Sequence, residues 1–404
     1  MTVRSGLRVA VTGVGAVTAW GAGVEALWAG LVSGGTAVGP FSRWDHARET
    51  THVAGEVPGV PDDPGRADVG IADRFALAAA TEALTMAGID LPVEATGVYF
   101  GSTTGGMFES ERWYARATGR APGRPRLRDL AYQPVSAPAQ AVARRFGICG
   151  PVCTVSSACA SGTLAVAVAL DALRAGDVGV AVVGGADSLC ATTYGGFNSL
   201  RSVDERPCRP FRADRAGLSL GEGGAVLVLE PWDDAVARGA RPLAEMLGVG
   251  ASSDASHMTA PDAEGRGAAR ALLLALRDGG VGPDDVDFVN LHGTGTPLND
   301  AAEWSALRSV FGDRAGRIPA TATKASIGHL LGSAGAAEAV ATVLCLRERA
   351  VHPTAGSAAV DPATPVDLVV GEPRRIGPRA LALSLSLAFG GCNAALACRG
   401  TTGV

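Results

Sequence analysis

The chain predicts an α/β protein whose strands are buried on both faces. Short apolar, β-branched runs recur along its 404 residues, and alanine- and leucine-rich stretches with helical spacing alternate with them. Strands that alternate with helices form largely parallel sheets covered on both sides, so each strand reads as continuously apolar. A third observation suggests duplication. Residues 151–173 (PVCTVSSACASGTLAVAVALDAL) and 318–346 (IPATATKASIGHLLGSAGAAEAVATVLCL) both pass from a short strand through a turn of small residues into an alanine- and glycine-rich helix. Such helices can bring their backbones close together in the middle of a layered structure.

The first strand is expected at residues 8–12. Two arginines before an apolar stretch resemble a signal peptide, but Gly13 and Gly15 interrupt the stretch and it runs directly into a turn. Further strands are expected at 96–101, 178–184, 225–230, 287–292 and 380–387, and helices at 74–87, 160–175, 267–278, 300–311 and 334–349. The Pro- and Arg-rich residues 119–128 read as a surface loop. The chain is long enough for two domain-sized halves. Their seam falls near 231–242, giving an N-terminal half at 1–238 and a C-terminal half at 239–404.

Composition excludes several classes. Apolar residues make up 47% of the chain, but their runs are short and broken by Gly, Asp or Arg, so no membrane span is expected and the protein reads as cytoplasmic. A net charge of −5 disfavours nucleic-acid binding. The eight cysteines lack metal-type spacing with histidines, and no disulfide framework or metal is expected.

Cys159, in Val155-Ser-Ser-Ala-Cys-Ala-Ser-Gly162, lies where a strand meets a helix start. The helix dipole and free N–H groups there favour a thiolate and lower its pKa, which suits a nucleophile; a buried structural cysteine is the alternative. His292 opens His-Gly-Thr-Gly-Thr-Pro-Leu-Asn-Asp300 at a strand's C-terminal end, a position α/β proteins use for function. His329 sits in a second glycine-flanked turn, Thr323-Lys-Ala-Ser-Ile-Gly-His-Leu-Leu-Gly-Ser-Ala-Gly335. Lys324 and Glu303 read either as a buried polar network around the histidines or as solvated surface charges. Gly101-Ser-Thr-Thr-Gly-Gly106 and Phe389-Gly-Gly-Cys-Asn393 follow strands without a phosphate-binding fingerprint. The second is better suited to aiming a backbone N–H into a site, as an oxyanion hole requires.

Together these segments resemble the β-ketoacyl-acyl-carrier-protein synthases, the elongating ketosynthases of fatty-acid and polyketide assembly in the thiolase superfamily. The motifs run in family order from Val11-Thr-Gly-Val-Gly15 through Ser157-Ala-Cys-Ala-Ser-Gly162, Arg209-Pro-Phe211, Gly221-Glu-Gly223 and Ser252-Ser-Asp-Ala255 to His292-Gly-Thr-Gly-Thr296, Lys324 to Gly335 and Phe389-Gly-Gly391. The resemblance implies a thiolase-like, five-layered αβαβα duplicated fold. It implies Cys159 as nucleophile, His292 and His329 as the histidine pair, and Lys324 and Glu303 as supporting charges, with Glu338 and Asp300 nearby. Phe389 would gate an acyl channel and share the oxyanion hole with the Cys159 N–H. Thr294, Thr296, Thr104 and Gly390 are candidates for substrate binding, with Met107 and Phe108 near the acyl channel or a dimer interface.

The implied reaction is decarboxylative condensation of a Cys159-bound acyl group with a malonyl thioester. The implied partners are an acyl carrier protein and either a second copy or a chain-length-factor subunit. No cofactor is implied, since the phosphopantetheine arm belongs to the carrier. Gly217-Leu-Ser-Leu-Gly-Glu-Gly-Gly224 looks more like ketosynthases of polyene-forming or other reducing type II polyketide systems than like housekeeping enzymes. Residues 66–75 carry fewer basic residues than their family counterparts, which makes Arg201, Arg206 and Arg209 alternative contacts for an acidic carrier. A silent chain-length-factor subunit and a coenzyme A thiolase are the competing readings.

Overall fold

The computed structural model describes residues 6–59, 69–90 and 95–402. The expected docking stretch at 66–75 therefore begins outside the described residues, and so does the extreme N-terminus. Five strands build the N-terminal half: β1 (Val9–Thr18), β2 (Thr96–Gly101), β3 (Val152–Val155), β4 (Val180–Asp187) and β5 (Gly223–Pro231). Five more build the C-terminal half: β6 (Ala244–Ser253), β7 (Val286–Asn290), β8 (Pro319–Thr321), β9 (Leu381–Leu387) and β10 (Cys392–Gly400).

The two halves repeat one topology. In the first, the spatial order is β3-β2-β4-β5-β1, with β2 parallel to β3 and β4 and the other pairs antiparallel. In the second it is β8-β7-β9-β10-β6, with the same pattern of directions. Each half thus follows the order third, second, fourth, fifth, first. Antiparallel pairing of Val9, Ala10 and Val11 with Met246, Glu245 and Ala244 joins the halves into one hydrogen-bonded sheet.

The principal helices are α1 (Ile71–Ala87), α2 (Ala137–Phe146), α3 (Ser161–Ala175), α4 (Arg266–Asp278), α5 (Pro297–Phe311) and α6 (Ala334–Glu348). Helices α3 and α6 touch strands of both halves and each other, so they form a central layer. On the outside, α1 and α2 cover the first half and α4, backed by α5, covers the second, which completes five layers. The two segments read as a repeat occupy equivalent places: β3 leads into α3, and β8 leads through the Lys324 to Ser333 turn into α6.

Sandwiching explains why α6 shows no polar face: every residue from Ala334 to Leu346 is buried. It also explains two glycines. A Cβ on Gly162 would lie 2.5 Å from the Ala336 nitrogen, and one on Gly335 would lie 2.7 Å from the Thr163 nitrogen, so the central helices meet backbone to backbone. Ala158–Ala175 has the length and hydropathy of a membrane span, yet 56% of it is buried inside the molecule, as befits a core helix.

The expected elements are present, with shifted ends. Strand β7 stops at Asn290, so His292 lies in the turn beyond it, and α5 starts three residues early because Pro297 is well suited to a first helical turn. The sequence reading did not find β6, because Gly248 and Gly250 break its apolar run. These glycines are where α4 lies on the strand: a Cβ on Gly250 would fall 2.0 Å from the Ala271 carbonyl oxygen. Alanine-rich β10 carried too little β-branched signal to be found, whereas the short strands expected ahead of the two alanine-rich helices are present as β3 and β8.

Candidate active site

Cys159 sits two residues before α3, and its geometry starts with strain at its neighbour. Ala158 adopts φ of 45°, a conformation that an L side chain occupies at a cost, and this turns the chain sharply enough to point the thiol inward. Ser161 holds the turn: its buried hydroxyl accepts the Ser157 N–H at 2.8 Å and donates to the Ala158 carbonyl at 2.5 Å. The Phe389 backbone N–H and the N–H of Cys159 itself both lie against the sulfur. Two backbone donors therefore face the sulfur, the kind of arrangement an oxyanion hole requires.

The thiol is 7% exposed. Burial pushes its pKa up to about 11, and the pull of Lys324 and the backbone N–H groups only partly offsets this. The resting group is a thiol. This reverses the lowered value expected from a helix start, because desolvation of the charge outweighs the dipole.

His292 follows β7 in a turn held by α5. Glu303 accepts the N–H groups of His292 and Gly293 at 2.6 and 2.9 Å, while Asp300 accepts those of Gly295 and Phe211 at 3.2 and 2.8 Å. Gly293 and Gly295 both have positive φ, which lets the turn wrap onto these carboxylates. Burial raises Glu303 to about 8 and Asp300 to about 6. The expected network is thus divided: Glu303 shapes the His292 turn, and Lys324 pairs with Glu338 instead.

Lys324 is 2% exposed and has three partners. Its ammonium donates to Nδ1 of His292 at 3.0 Å, to the His292 carbonyl at 2.6 Å and to Glu338. Burial raises the Glu338 carboxyl and the ammonium opposes that rise. With Nδ1 accepting from Lys324, the proton of the neutral His292 ring must sit on Nε2. His329 reaches the same tautomer by another route, since its Nδ1 accepts the Leu331 N–H at 3.1 Å. Burial first, then the Lys324 charge, lowers both pKa values well below the ordinary histidine range. The rings stand 5.6 Å apart at 86°, and both residues line the same cavity as Cys159.

Cys159, His292 and His329 line a cavity of about 280 Å³ together with Thr294, Thr296 and Phe389. Phe389 stacks on Phe197 at 5.6 Å across it. Two predicted substrate contacts lie elsewhere. Thr104 donates to Asp187 at 3.0 Å and does not line the cavity, and Gly390 spends its N–H on the Met258 carbonyl at 2.8 Å. Met107 and Phe108 are likewise outside it. Arg209 is 8% exposed and tied to Asp204 at 2.6 Å, which removes it as a docking contact, whereas exposed Arg201 lies at the mouth.

Several supporting residues escaped the sequence reading. Asp187 accepts from Ser102, Thr103, Thr104 and Gly105 and also from Gly332 at 2.7 Å, joining the Gly101 to Gly106 turn to the turn after His329. Phe197 carried no signal at all. Ser161 stood inside the cysteine motif, and only its place two residues after a strand-to-helix nucleophile could have marked it.

Known proteins share this fold. Residues 7–235 match the beta-ketoacyl synthase N-terminal domain and residues 243–358 its C-terminal domain. A 3-oxoacyl-[acyl-carrier-protein] synthase 2 from Staphylococcus aureus is 34% identical over 407 residues, covering 96% of this chain and 97% of the relative. A chain of the ishigamide ketosynthase/chain length factor superposes with a TM-score of 0.91 at 35% identity, covering 98% of this chain and 100% of that one. A chain from a type II polyketide synthase acyl-carrier protein in complex with its hexaketide-bound ketosynthase gives 0.90 at 28% identity, with the same coverage. The matched domains, the full-length relatives and the shared architecture establish that this chain belongs to the β-ketoacyl synthase family and is a ketosynthase.

Proposed function

We propose that this ketosynthase joins an acyl group held on Cys159 to a malonyl unit carried by an acyl carrier protein, with loss of carbon dioxide. The observation that carries this reading is the pair of buried imidazoles whose Nδ1 atoms are both occupied, leaving two neutral Nε2–H donors beside Cys159. Such donors stabilise an enolate oxygen without giving up their protons.

The cycle needs no cofactor from this chain. Cys159 attacks the carrier's acyl thioester, its proton leaves with the released pantetheine thiol, and the oxyanion is met by the Cys159 and Phe389 N–H groups. The malonyl thioester then enters past Thr294 and Thr296. As its carboxylate departs as carbon dioxide, the electron pair passes onto the thioester oxygen between His292 and His329. The resulting carbanion bonds to the acyl carbon and expels the Cys159 thiolate, which regains a proton from water.

Cys159 argues against a silent chain-length-factor-like subunit, and the absence of a second cysteine among the cavity-lining residues argues against a coenzyme A thiolase. Of the two settings, fatty-acid and type II polyketide assembly, the Gly217 to Gly224 segment favours a reducing polyketide system in the cytoplasm. The partners are an acyl carrier protein and a second ketosynthase-fold subunit seated on the open edge of the sheet at β3, either a copy or a chain-length factor. Intact-mass measurement with acyl-carrier protein tests the reading. The wild type gains the acyl mass and Cys159→Ala does not; equal labelling of both would sink it.

A further inference from the structure

We infer that the ion pair of Arg43 with Glu222 positions His329, so that Arg43, which does not line the cavity, governs the enolate-forming step and not the loading of Cys159. The inference rests on the ketosynthase reading above and adds a positioning residue to it.

The two histidines are held in different ways. His292 is fixed by charged side chains, with Lys324 on its ring and Glu303 on its N–H. His329 is placed by backbone: its N–H donates to the Ser219 carbonyl at 2.7 Å, and its carbonyl accepts the Gly221 N–H at 2.9 Å. The strip 219–222 is bonded on its far edge to Gly55, whose N–H donates to the Leu220 carbonyl at 2.8 Å and whose carbonyl accepts the Glu222 N–H at 3.0 Å. These layers lie close together, since a Cβ on Gly55 or Gly221 would fall 2.1 or 2.6 Å from the Ile327 carbonyl oxygen. His329 therefore moves with the strip.

Glu222 clamps that strip. It is fully buried, and its carboxylate accepts a bidentate pair of N–H groups from the Arg43 guanidinium, the Val57 N–H at 3.1 Å and the Leu189 N–H at 2.9 Å. The Leu189 bond matters twice. Asp187, two residues earlier, accepts the Gly332 N–H at 2.7 Å on the other side of the His329 turn, so one carboxylate ties both supports of that turn. Arg43 is itself steadied by Glu56 at 3.0 Å, and its side chain is only 10% exposed. Burial raises the Glu222 pKa, and Arg43 opposes the rise. Without Arg43, the carboxyl escapes an unpaired buried charge by taking a proton, and it then presents an O–H where a backbone N–H needs an acceptor.

The test sets Arg43→Met beside Arg43→Lys, Glu222→Gln and the double variant Arg43→Met/Glu222→Gln. Two half-reactions are measured separately: the gain of acyl mass on Cys159, and the conversion of malonyl- to acetyl-carrier protein. In Arg43→Met the second falls by about tenfold while the first stays within about twofold, as expected of a shift smaller than the misplacement of about 1 Å that costs about a hundredfold. Arg43→Lys, which keeps the charge without the planar fork, recovers part of the loss. The double variant, with a neutral amide in place of the stranded carboxylate, loses no more than the worse single variant, because the two residues act as one unit. Nitrogen-15 spectra give a readout independent of turnover: in Arg43→Met the His329 signals shift and those of His292 hold. Equal losses in both half-reactions, additive losses in the double variant, or unmoved His329 signals overturn the inference. Should Arg43→Met fail to fold, Arg43→Lys and Glu222→Gln carry the same comparison against the wild type. If the wild type performs neither half-reaction, the ketosynthase reading fails, and the spectra alone decide whether Arg43 positions His329.

Discussion

At the scale of single residues, the site works by placing protons rather than by holding charge on its reacting groups. Burial keeps Cys159 a thiol and keeps both imidazoles neutral, and the one ammonium, Lys324, is neutralised by Glu338 while it fixes the His292 tautomer. A histidine whose pKa is lowered stays uncharged as pH falls through the ordinary value near about 6.5 and gains a proton only at a much lower pH. Nitrogen-15 spectra of the imidazoles should therefore show His292 and His329 in the Nε2–H form with no titration between about pH 8 and about pH 5.5. A midpoint near the ordinary value in either ring would show that burial and Lys324 do not control it.

At the scale of elements, the crossing of α3 and α6 sets the position of the nucleophile. Gly162 and Gly335 let the two backbones touch, and Cys159 lies at the head of α3, so any spreading of the helices moves the thiol away from the histidines. A methyl at residue 335 would lie 2.2 Å from the Thr163 hydroxyl and 2.7 Å from its backbone nitrogen, which a rotamer change alone cannot relieve. Gly335→Ala should therefore cost about 1–3 kcal/mol by overpacking, read as a lower urea midpoint with unchanged slope, and should lower the rate of Cys159 acylation. An unchanged midpoint would mean that the central layer has slack that the close backbone approach does not suggest.

At the scale of the molecule, the duplicated sheet has an open end. Strand β3 is its outermost strand in the N-terminal half, Val152 is 42% exposed on it, and the Thr154 hydroxyl is buried without a hydrogen-bond partner. Exposed edges of this kind invite pairing with another chain, and β3 carries neither proline nor charge to prevent it. Sedimentation of the purified chain, alone and with its genomic neighbour, should show a dimer in one of the two mixtures. Val152→Lys should shift that species toward monomer. A monomer in both mixtures, or a dimer indifferent to Val152→Lys, would place the partner elsewhere.

The chemistry was legible along the chain because it is local: Cys159, His292 and His329 each stand in a turn of small residues that could be found without knowing what faces it. The α/β class and the duplication were legible too, since buried strands and alanine-rich helices leave periodic patterns. What tertiary structure decided are quantities set by distant neighbours. Burial turned the Cys159 pKa upward against the local helix effect, and Lys324 chose Glu338, fourteen positions away on α6, over Glu303. The same distance in sequence hid Phe197, sent Thr104 to Asp187 and left Arg201 at the cavity mouth. A residue's type and turn can be read from its own segment, but its solvation and partners belong to whatever the fold brings against it.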